Sequence, residues 1–158
     1  MTYSISTTRR IAPGETWTIT DMIGVSIVRP AEGQTVVSLS NAGTILINTN
    51  SIYITAGINY EHGSEDRGSV FTNEATGVFR MVSTGGFNQT YGFTSQQAWT
   101  GFTGAFVNHG VFEVSATAFA AGIQTFTSNF AFTNTGQFRV QGATGAIGVM
   151  AEYGTIAV

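Results

Sequence analysis

Apolar and polar residues alternate in short runs along most of the chain. Residues 112–114 read Phe-Glu-Val, and residues 138–140 read Phe-Arg-Val. An alternation of period two predicts β-strands with one buried face and one solvated face. Shorter strands are predicted just upstream, at 105–108 and 131–134. No apolar pattern repeats every 3.6 residues over three turns, so no helix is predicted.

These strands belong to a repeat with the pattern Asn-x-Gly-x-(Phe/Ile)-x-(Val/Ile), a spacer, and then (Ala/Tyr)-x-Gly-(Ile/Phe/Val). A degenerate first copy is read at 14–25 and a trailing half copy at 153–158. The spacing of the copies is uneven, which favours a solenoid with variable loops. The marker glycines of the four clear copies are Gly43, Gly77, Gly110 and Gly136.

The Asn and Gly of the motif predict a corner, because Asn tolerates left-handed backbone angles and Gly allows positive φ without steric cost. The later Ala-x-Gly predicts a second corner, followed by a third apolar stretch such as 123–126. One repeat then holds about three strands and three corners. Stacking such repeats at about 4.8 Å would give them a shared core.

We therefore predict an all-β fold, a single-domain parallel β-solenoid (β-helix) of about four to five irregular rungs over residues 1–158. Residues 1–13 form its N-terminal edge segment and residues 150–158 its C-terminal edge strand. Ile45, Phe79, Phe112 and Phe138 should stack in one inward-facing column. The equivalent asparagines either serve only as corner residues, the interpretation we favour, or also bond to one another in a ladder. They are Asn41, Asn73, Asn108 and Asn134.

The motif Asn108-His109-Gly110-Val111-Phe112-Glu113-Val114 with its downstream Ala121-Gly122-Ile123 resembles β-helical repeats of bacterial surface and secreted proteins. These are autotransporter passengers, haemagglutinin-like adhesins and repeat regions of type I-secreted proteins. The resemblance covers roughly residues 14–158. It implies a β-solenoid fold, an extracellular or cell-surface location and a structural or adhesive role, and it carries over no functional residue.

Charge excludes several partners. Charged residues make up 9% of the chain, the net charge is −3, and the six basic residues are all Arg and scattered. Without a clustered basic patch, nucleic-acid binding and attraction to an anionic membrane surface are not expected. No apolar run is long enough for a membrane span. The absence of Cys removes disulfides, thiolate catalysis and Cys-based zinc sites.

Few residues suggest chemistry. Residues 61–67 hold three carboxylates that could bind calcium, although a solvated insertion loop over Glu61–Gly68 explains them better. A third possible role for this cluster is an interface contact. His62 and His109 are interpreted as surface residues. Glu113 is matched by Arg80 and Arg139 in adjacent repeats, which predicts cross-rung salt bridges. We assign no catalytic, metal-binding or cofactor-binding residue and expect no cofactor.

Two further surface roles are weighed. Thr-x-Thr rows at 16–20, 125–127 and 133–135 could order water for ice binding, but they fall at different repeat positions, so strand propensity explains them better. Tyr91, Trp99 and Phe102 could bind glycans.

The leading hypothesis is a non-catalytic extracellular structural protein that self-assembles end to end into a filament or surface layer. The C-terminal strand around Tyr153–Val158 would pair with the segment around Ser4–Thr8 of another copy, because neither edge carries the charge or proline that blunts an edge. The alternatives are an adhesin or glycan-binding β-helix module and, further, a polysaccharide-acting β-helix enzyme.

Overall fold

The computed structural model describes residues 3–5, 7–20, 23–27, 38–49, 55–61, 67–84, 90–96, 103–117, 120–125, 129–142, 146–151 and 155–157. Every regular element in these ranges is a β-strand. The strands are β1 (Tyr3–Ile5), β2 (Arg9–Ile11), β3 (Thr16–Ile19), β4 (Ile23–Ile27), β5 (Leu39–Asn41), β6 (Thr44–Thr49), β7 (Thr55–Glu61), β8 (Arg67–Asn73), β9 (Val78–Ser83), β10 (Thr90–Gln96), β11 (Thr103–Asn108), β12 (Val111–Ala116), β13 (Ala120–Thr125), β14 (Asn129–Asn134), β15 (Gln137–Gly142), β16 (Ala146–Ala151) and β17 (Thr155–Ala157).

The strands form three sheets, and all their pairings are parallel. Sheet A has the order β1-β4-β7-β10-β13-β16, and sheet B has the order β2-β5-β8-β11-β14-β17. Within the described ranges, sheet C contains five strands, in the order β3-β6-β9-β12-β15. Successive strands therefore enter sheets A, B and C in a fixed rotation, and we call each set of three a round. The predicted all-β, parallel architecture is confirmed.

The step from sheet B to sheet C is made by the Asn-x-Gly motif. In the four clear repeats the Asn is the last residue of the sheet B strand, and the sheet C strand begins directly after the marker Gly. The first round differs, because Thr16 pairs in register with Thr44, which puts Glu15 rather than Gly14 at the marker position. Gly14 has φ 84 and follows Pro13 in a turn closed by Glu15 N–H donating to Ala12 O at 3.0 Å. Pro followed by a positive-φ Gly is the signature of a type II turn.

The core contains two columns of aromatic rings. In sheet C the register aligns Ile45, Phe79, Phe112 and Phe138, as predicted. Phe112 stacks on Phe79 at 4.9 Å and on Phe138 at 5.0 Å between ring centroids. Sheet B contributes a second column that the sequence analysis did not foresee. Its members are Leu39, Phe71, Phe106 and Phe132.

The two columns meet edge to face. Phe106 contacts Phe79 at 6.0 Å and 78° and Phe112 at 5.3 Å and 86°. This T-shaped arrangement brings the positive ring edge to the negative ring face, which favours it over a flat sandwich. These ring contacts therefore hold sheets B and C together.

The Ala-x-Gly glycines do not form corners, contrary to the sequence prediction. Gly57, Gly92, Gly122 and Gly148 all lie inside strands of sheet A. A Cβ on Gly122 would lie 2.7 Å from the ring of Phe112, and one on Gly92 would lie 3.1 Å from the ring of Phe79. At Gly122 a side chain would take the space of the Phe112 ring and of Val114, and at Gly92 it would come closest to the backbone oxygen of Gly122, at 2.6 Å.

The predicted loop over Glu61–Gly68 is also wrong at both ends. Glu61 is the last residue of β7 and pairs with Gln96, and Arg67 begins β8 and pairs with Thr103. Gly68 lies in the same strand, at a register shift. The ladders extend to these polar residues because strand pairing uses the backbone, whatever the side chain. Residues 62–66 lie outside the described ranges.

Candidate functional site

The four motif asparagines form a hydrogen-bonded ladder along one corner. The Nδ2 of Asn41 donates to Oδ1 of Asn73 at 2.8 Å, Asn73 donates in the same way to Asn108 at 2.7 Å, and Asn108 to Asn134 at 2.7 Å. Each of the three donors also reaches a backbone carbonyl of the next round. The ladder, considered second to a simple corner role, is therefore present. Its cause is the register, which places equivalent residues directly above one another.

The ladder has a direction and two different ends. Every amide group turns its Nδ2 toward the C-terminal rounds. At the N-terminal end, Oδ1 of Asn41 is buried and has no partner among the described residues. Its neighbour in register there is Ile11, whose side chain offers no donor. At the opposite end Asn134 is exposed, and its Nδ2 reaches Gly136 O only at 3.4 Å.

The marker glycines are required for close approach rather than for positive φ. Among the described glycines only Gly14 and Gly142 have positive φ, so the prediction of that conformation at the marker positions is wrong. A Cβ on Gly77, Gly110 or Gly136 would lie closer than 3.0 Å to a backbone oxygen of the preceding round. Successive corners stack too tightly for any side chain.

An Arg–Glu–Arg cluster lies on the outer face of sheet C, and its salt bridges confirm the sequence prediction. Oε2 of Glu113 accepts from Nε of Arg80 at 2.7 Å, and Oε1 accepts from Nη1 of Arg139 at 2.8 Å. The Arg80 hydrogen bond is the largest cause that holds the pKa of Glu113 below its usual value. Both guanidinium groups are about half exposed, whereas the Glu113 side chain is 19% exposed.

A shallow cavity of about 100 Å³ adjoins this cluster. Two guanidinium groups and one carboxylate give the charged side chains beside the cavity a net positive charge. An anionic group such as a carboxylate matches that chemistry. The lining residues are Arg80, Glu113, Val114, Ser115, Arg139 and Gln141.

The N-terminal end of the core is closed. Ile11, Trp17 and Ile19 are each at most 3% exposed, although β2 and β3 are the outermost strands of sheets B and C. Arg9 lies over the Trp17 ring at 4.7 Å, and the indole N–H donates to Glu15 at 2.7 Å. Hydrogen bonds from the Ala12 backbone and from Trp17 lower the pKa of Glu15.

A second ion pair reinforces this end. Arg10 donates through Nε and Nη2 to the two carboxylate oxygens of Glu74, both at 2.6 Å. Two parallel bonds of this kind fix the geometry of an Arg–carboxylate pair. The Arg10 hydrogen bond is the main cause that lowers the pKa of Glu74. The bridge ties β2 to the corner that follows β8.

The C-terminal end of the core is open at β15. Sheet C has one strand fewer than sheets A and B, and among the described residues no strand pairs with the outer edge of β15. Phe138 is consequently only partly buried, and Val140 is 39% exposed. Both continue columns whose inner members, Phe112 and Val114, are at most 1% exposed. Sequence reasoning missed this site, since the number of strands in each sheet is not visible in the repeat.

The remaining predicted site residues have different outcomes. His109 is exposed and its Nδ1 lies 2.6 Å from Thr135 Oγ1, a surface bond between rounds. Of the row at 16–20, Thr16 is in register with Thr44 of the next strand, but Thr18 is in register with Leu46, so the two-threonine row does not continue. Trp99, Phe102, His62 and the carboxylates at 65–66 lie outside the described residues, as do the side chains of Glu61 and Tyr91. In the part of the chain that is described, no three His, Cys, Asp or Glu side chains come together.

No protein-family model, curated protein or solved structure matches this chain. Across the described ranges, no helix has the length and apolar character that crossing a membrane requires.

Proposed function

We propose that the protein is a non-catalytic structural subunit, a parallel β-solenoid that self-assembles end to end at an extracellular site or cell surface. The observation that carries the proposal is the open edge of β15, where Phe138 and Val140 present core positions to solvent. The fixed A-B-C rotation of the strands is what a helix of strands requires. We take each round to be one turn of that solenoid.

A comparison of the two ends of the core supports a role in association for the C-terminal end, at β15. An unpaired edge strand is a template for another strand, and β15 offers a free backbone edge together with apolar side chains. At the N-terminal end, Ile11, Trp17 and Ile19 are already buried within the single chain. The open end is therefore where association gains the most burial of apolar surface.

The predicted partner strands need a different assignment. β17 (Thr155–Ala157) is the outermost strand of sheet B, whereas β1 (Tyr3–Ile5) is the outermost strand of sheet A at the other end. If two copies stack so that each sheet continues into itself, β17 meets β2 and β1 meets β16. A pairing of 153–158 with 4–8 therefore does not follow from direct stacking.

The test is the oligomeric state as a function of concentration, measured by light scattering. We expect the unmodified chain to assemble and Val140→Lys to prevent assembly while circular dichroism keeps the β signal. The control is Gln141→Lys, which adds the same charge at an exposed position of the same strand. A chain that stays monomeric at high concentration, or two lysine variants that behave alike, contradicts the proposal.

One observation favours a second candidate function, an adhesin or glycan-binding module. The cavity beside Arg80 and Arg139, whose charged lining is net positive, would accept the carboxylate of an acidic sugar. A glycan array compared between the unmodified chain and Arg80→Gln tests it, with loss of acidic glycans expected in the variant. In the part of the chain whose side chains are described, Glu15, Glu74 and Glu113 have lowered pKa values, so none of these three suits the general acid of a polysaccharide-acting enzyme. A general acid requires a raised pKa.

A further inference from the structure

The staggered end of the three sheets sets the rotation between assembled copies. Sheets A and B end at β16 and β17, but sheet C ends one round earlier at β15. Two copies stacked without rotation would pair β1 with β16 and β2 with β17, and they would leave a one-strand gap above β15. The exposed part of Phe138 and Val140 would then remain unburied in the assembly.

A rotation of one sheet position removes the gap. The next strand in the A-B-C order after β17 belongs on β15, so β1 of a second copy takes that place. Its β2 then lies on β16 and its β3 on β17. The outer edges of β15, β16 and β17 are then all paired.

The sequence of β1 suits this position. Residues 3–5 read Tyr-Ser-Ile, an apolar–polar–apolar run. If β1 pairs with Phe138-Arg139-Val140 of β15, its two apolar residues lie next to the exposed core positions and Ser4 lies next to Arg139. In sheet C the same alternation occurs in β3, β9 and β12, with Phe112-Glu113-Val114 directly below.

We infer that a second copy of this chain inserts its β1 into the vacant position above β15, so that successive copies are rotated by about one third of a turn. The inference rests on the proposed function. Each copy adds on average between five and six strands to a sheet, which at about 4.8 Å per strand gives a rise of roughly 27 Å per copy. A fibre built in this way repeats its orientation after three copies.

The chain contains no Cys, so engineered cysteines can report the pairing without background. Ser4→Cys, Arg139→Cys and Met150→Cys are made as separate single variants. The two arms of the experiment are a mixture of the Ser4 and Arg139 variants and a mixture of the Ser4 and Met150 variants, both oxidised under assembly conditions. Because each chain carries one thiol, every covalent dimer joins two copies. Each variant oxidised alone gives the homodimer background.

The choice of Met150 follows from the register. Within one copy, sheet A aligns Ser4 with Ser26, and the same position continues through Asn59, Thr94 and Gln124 to Met150. Stacking without rotation would therefore place Ser4 of one copy next to Met150 of another. Neighbouring parallel strands bring paired Cα atoms within the range that a disulfide can span.

We expect the Ser4–Arg139 mixture to give at least about five times more covalent heterodimer than the Ser4–Met150 mixture on a non-reducing gel. Assembly with the Ser4–Met150 product, or with neither product, overturns the rotated pairing and leaves the proposed function standing. If the unmodified chain does not assemble, the proposed function fails and the inference fails with it. Light scattering of the unmodified chain and of every variant separates these outcomes.

Discussion

Replacing Phe112 with Ala tests the aromatic core at its most enclosed point. The ring is fully buried between Phe79 and Phe138 and meets the edge of Phe106. Removing roughly 150 Å² of buried apolar surface at about 25 cal/mol per Å² costs about 4 kcal/mol. Partial collapse of the cavity would lower this cost, whereas the lost ring contacts would raise it. We expect a loss of about 3–5 kcal/mol in the free energy of unfolding.

The assay is urea unfolding followed by circular dichroism, with Phe138→Ala as the matched control. Phe138 is also a phenylalanine and lies in the same column as Phe112, but it is at the open end and only partly buried. Its truncation should cost no more than about 2 kcal/mol, because part of its surface is already in water. A loss below about 1 kcal/mol for Phe112→Ala, or equal losses in the two variants, would refute the aromatic-column account.

The same site allows a test of why sheet A contains glycine opposite this ring. A Cβ at position 122 would lie 2.7 Å from the Phe112 ring, so Gly122→Ala should destabilise the protein by about 1–3 kcal/mol through overpacking. In the Phe112→Ala background the same change should cost less, since the ring is gone and only the Val114 side chain, at 2.6 Å, still crowds the position. Additive effects of the two substitutions would show that Gly122 is needed for another reason.

The other predictions concern the ladder and the charged cluster. Asn73→Leu should lower the free energy of unfolding by about 1–3 kcal/mol, measured in urea, because it leaves the buried amide of Asn41 without its acceptor and that of Asn108 without its donor. The control is Asn134→Leu at the exposed end of the ladder, which should cost under about 1 kcal/mol. Equal losses in the two variants would contradict the ladder. Glu113 has a lowered pKa in the folded state, so its contribution is full above the unfolded value of about 4.3 and is lost as pH falls through the folded value. The stability gap between the unmodified chain and Glu113→Gln, at most about 1 kcal/mol at this half-exposed cluster, should therefore close toward pH 3, and a gap independent of pH would exclude the ion pairs as its source.

Local pattern was sufficient for several features of the fold. The period-two alternation around residues 112–114 and 138–140 identified strands, since a strand turns successive side chains to opposite faces whatever its neighbours are. The repeated distance from the marker glycine identified the phenylalanine column and the partners of Glu113. Both depend on equivalent residues being stacked in parallel register, which a repeat supplies by itself.

Other features depended on what packs against each residue. The sequence cannot distinguish a glycine that bends the chain from one that makes room, and Gly122 became explicable only once the Phe112 ring was seen opposite it. For Asn73, burial decided between a corner residue and a ladder member. Likewise, the ends of the 61–68 segment were misassigned because backbone pairing extends through polar side chains.

The open end of the core was decided by tertiary structure alone. The sequence of β15 has the same alternation as that of β12, yet Val140 is 39% exposed while Val114 is buried. The difference lies in the number of strands in each sheet, a property of the whole assembly of rounds rather than of any one repeat. Sequence thus determined which side chains face the core, and the stacking of strands determined which of them remain uncovered.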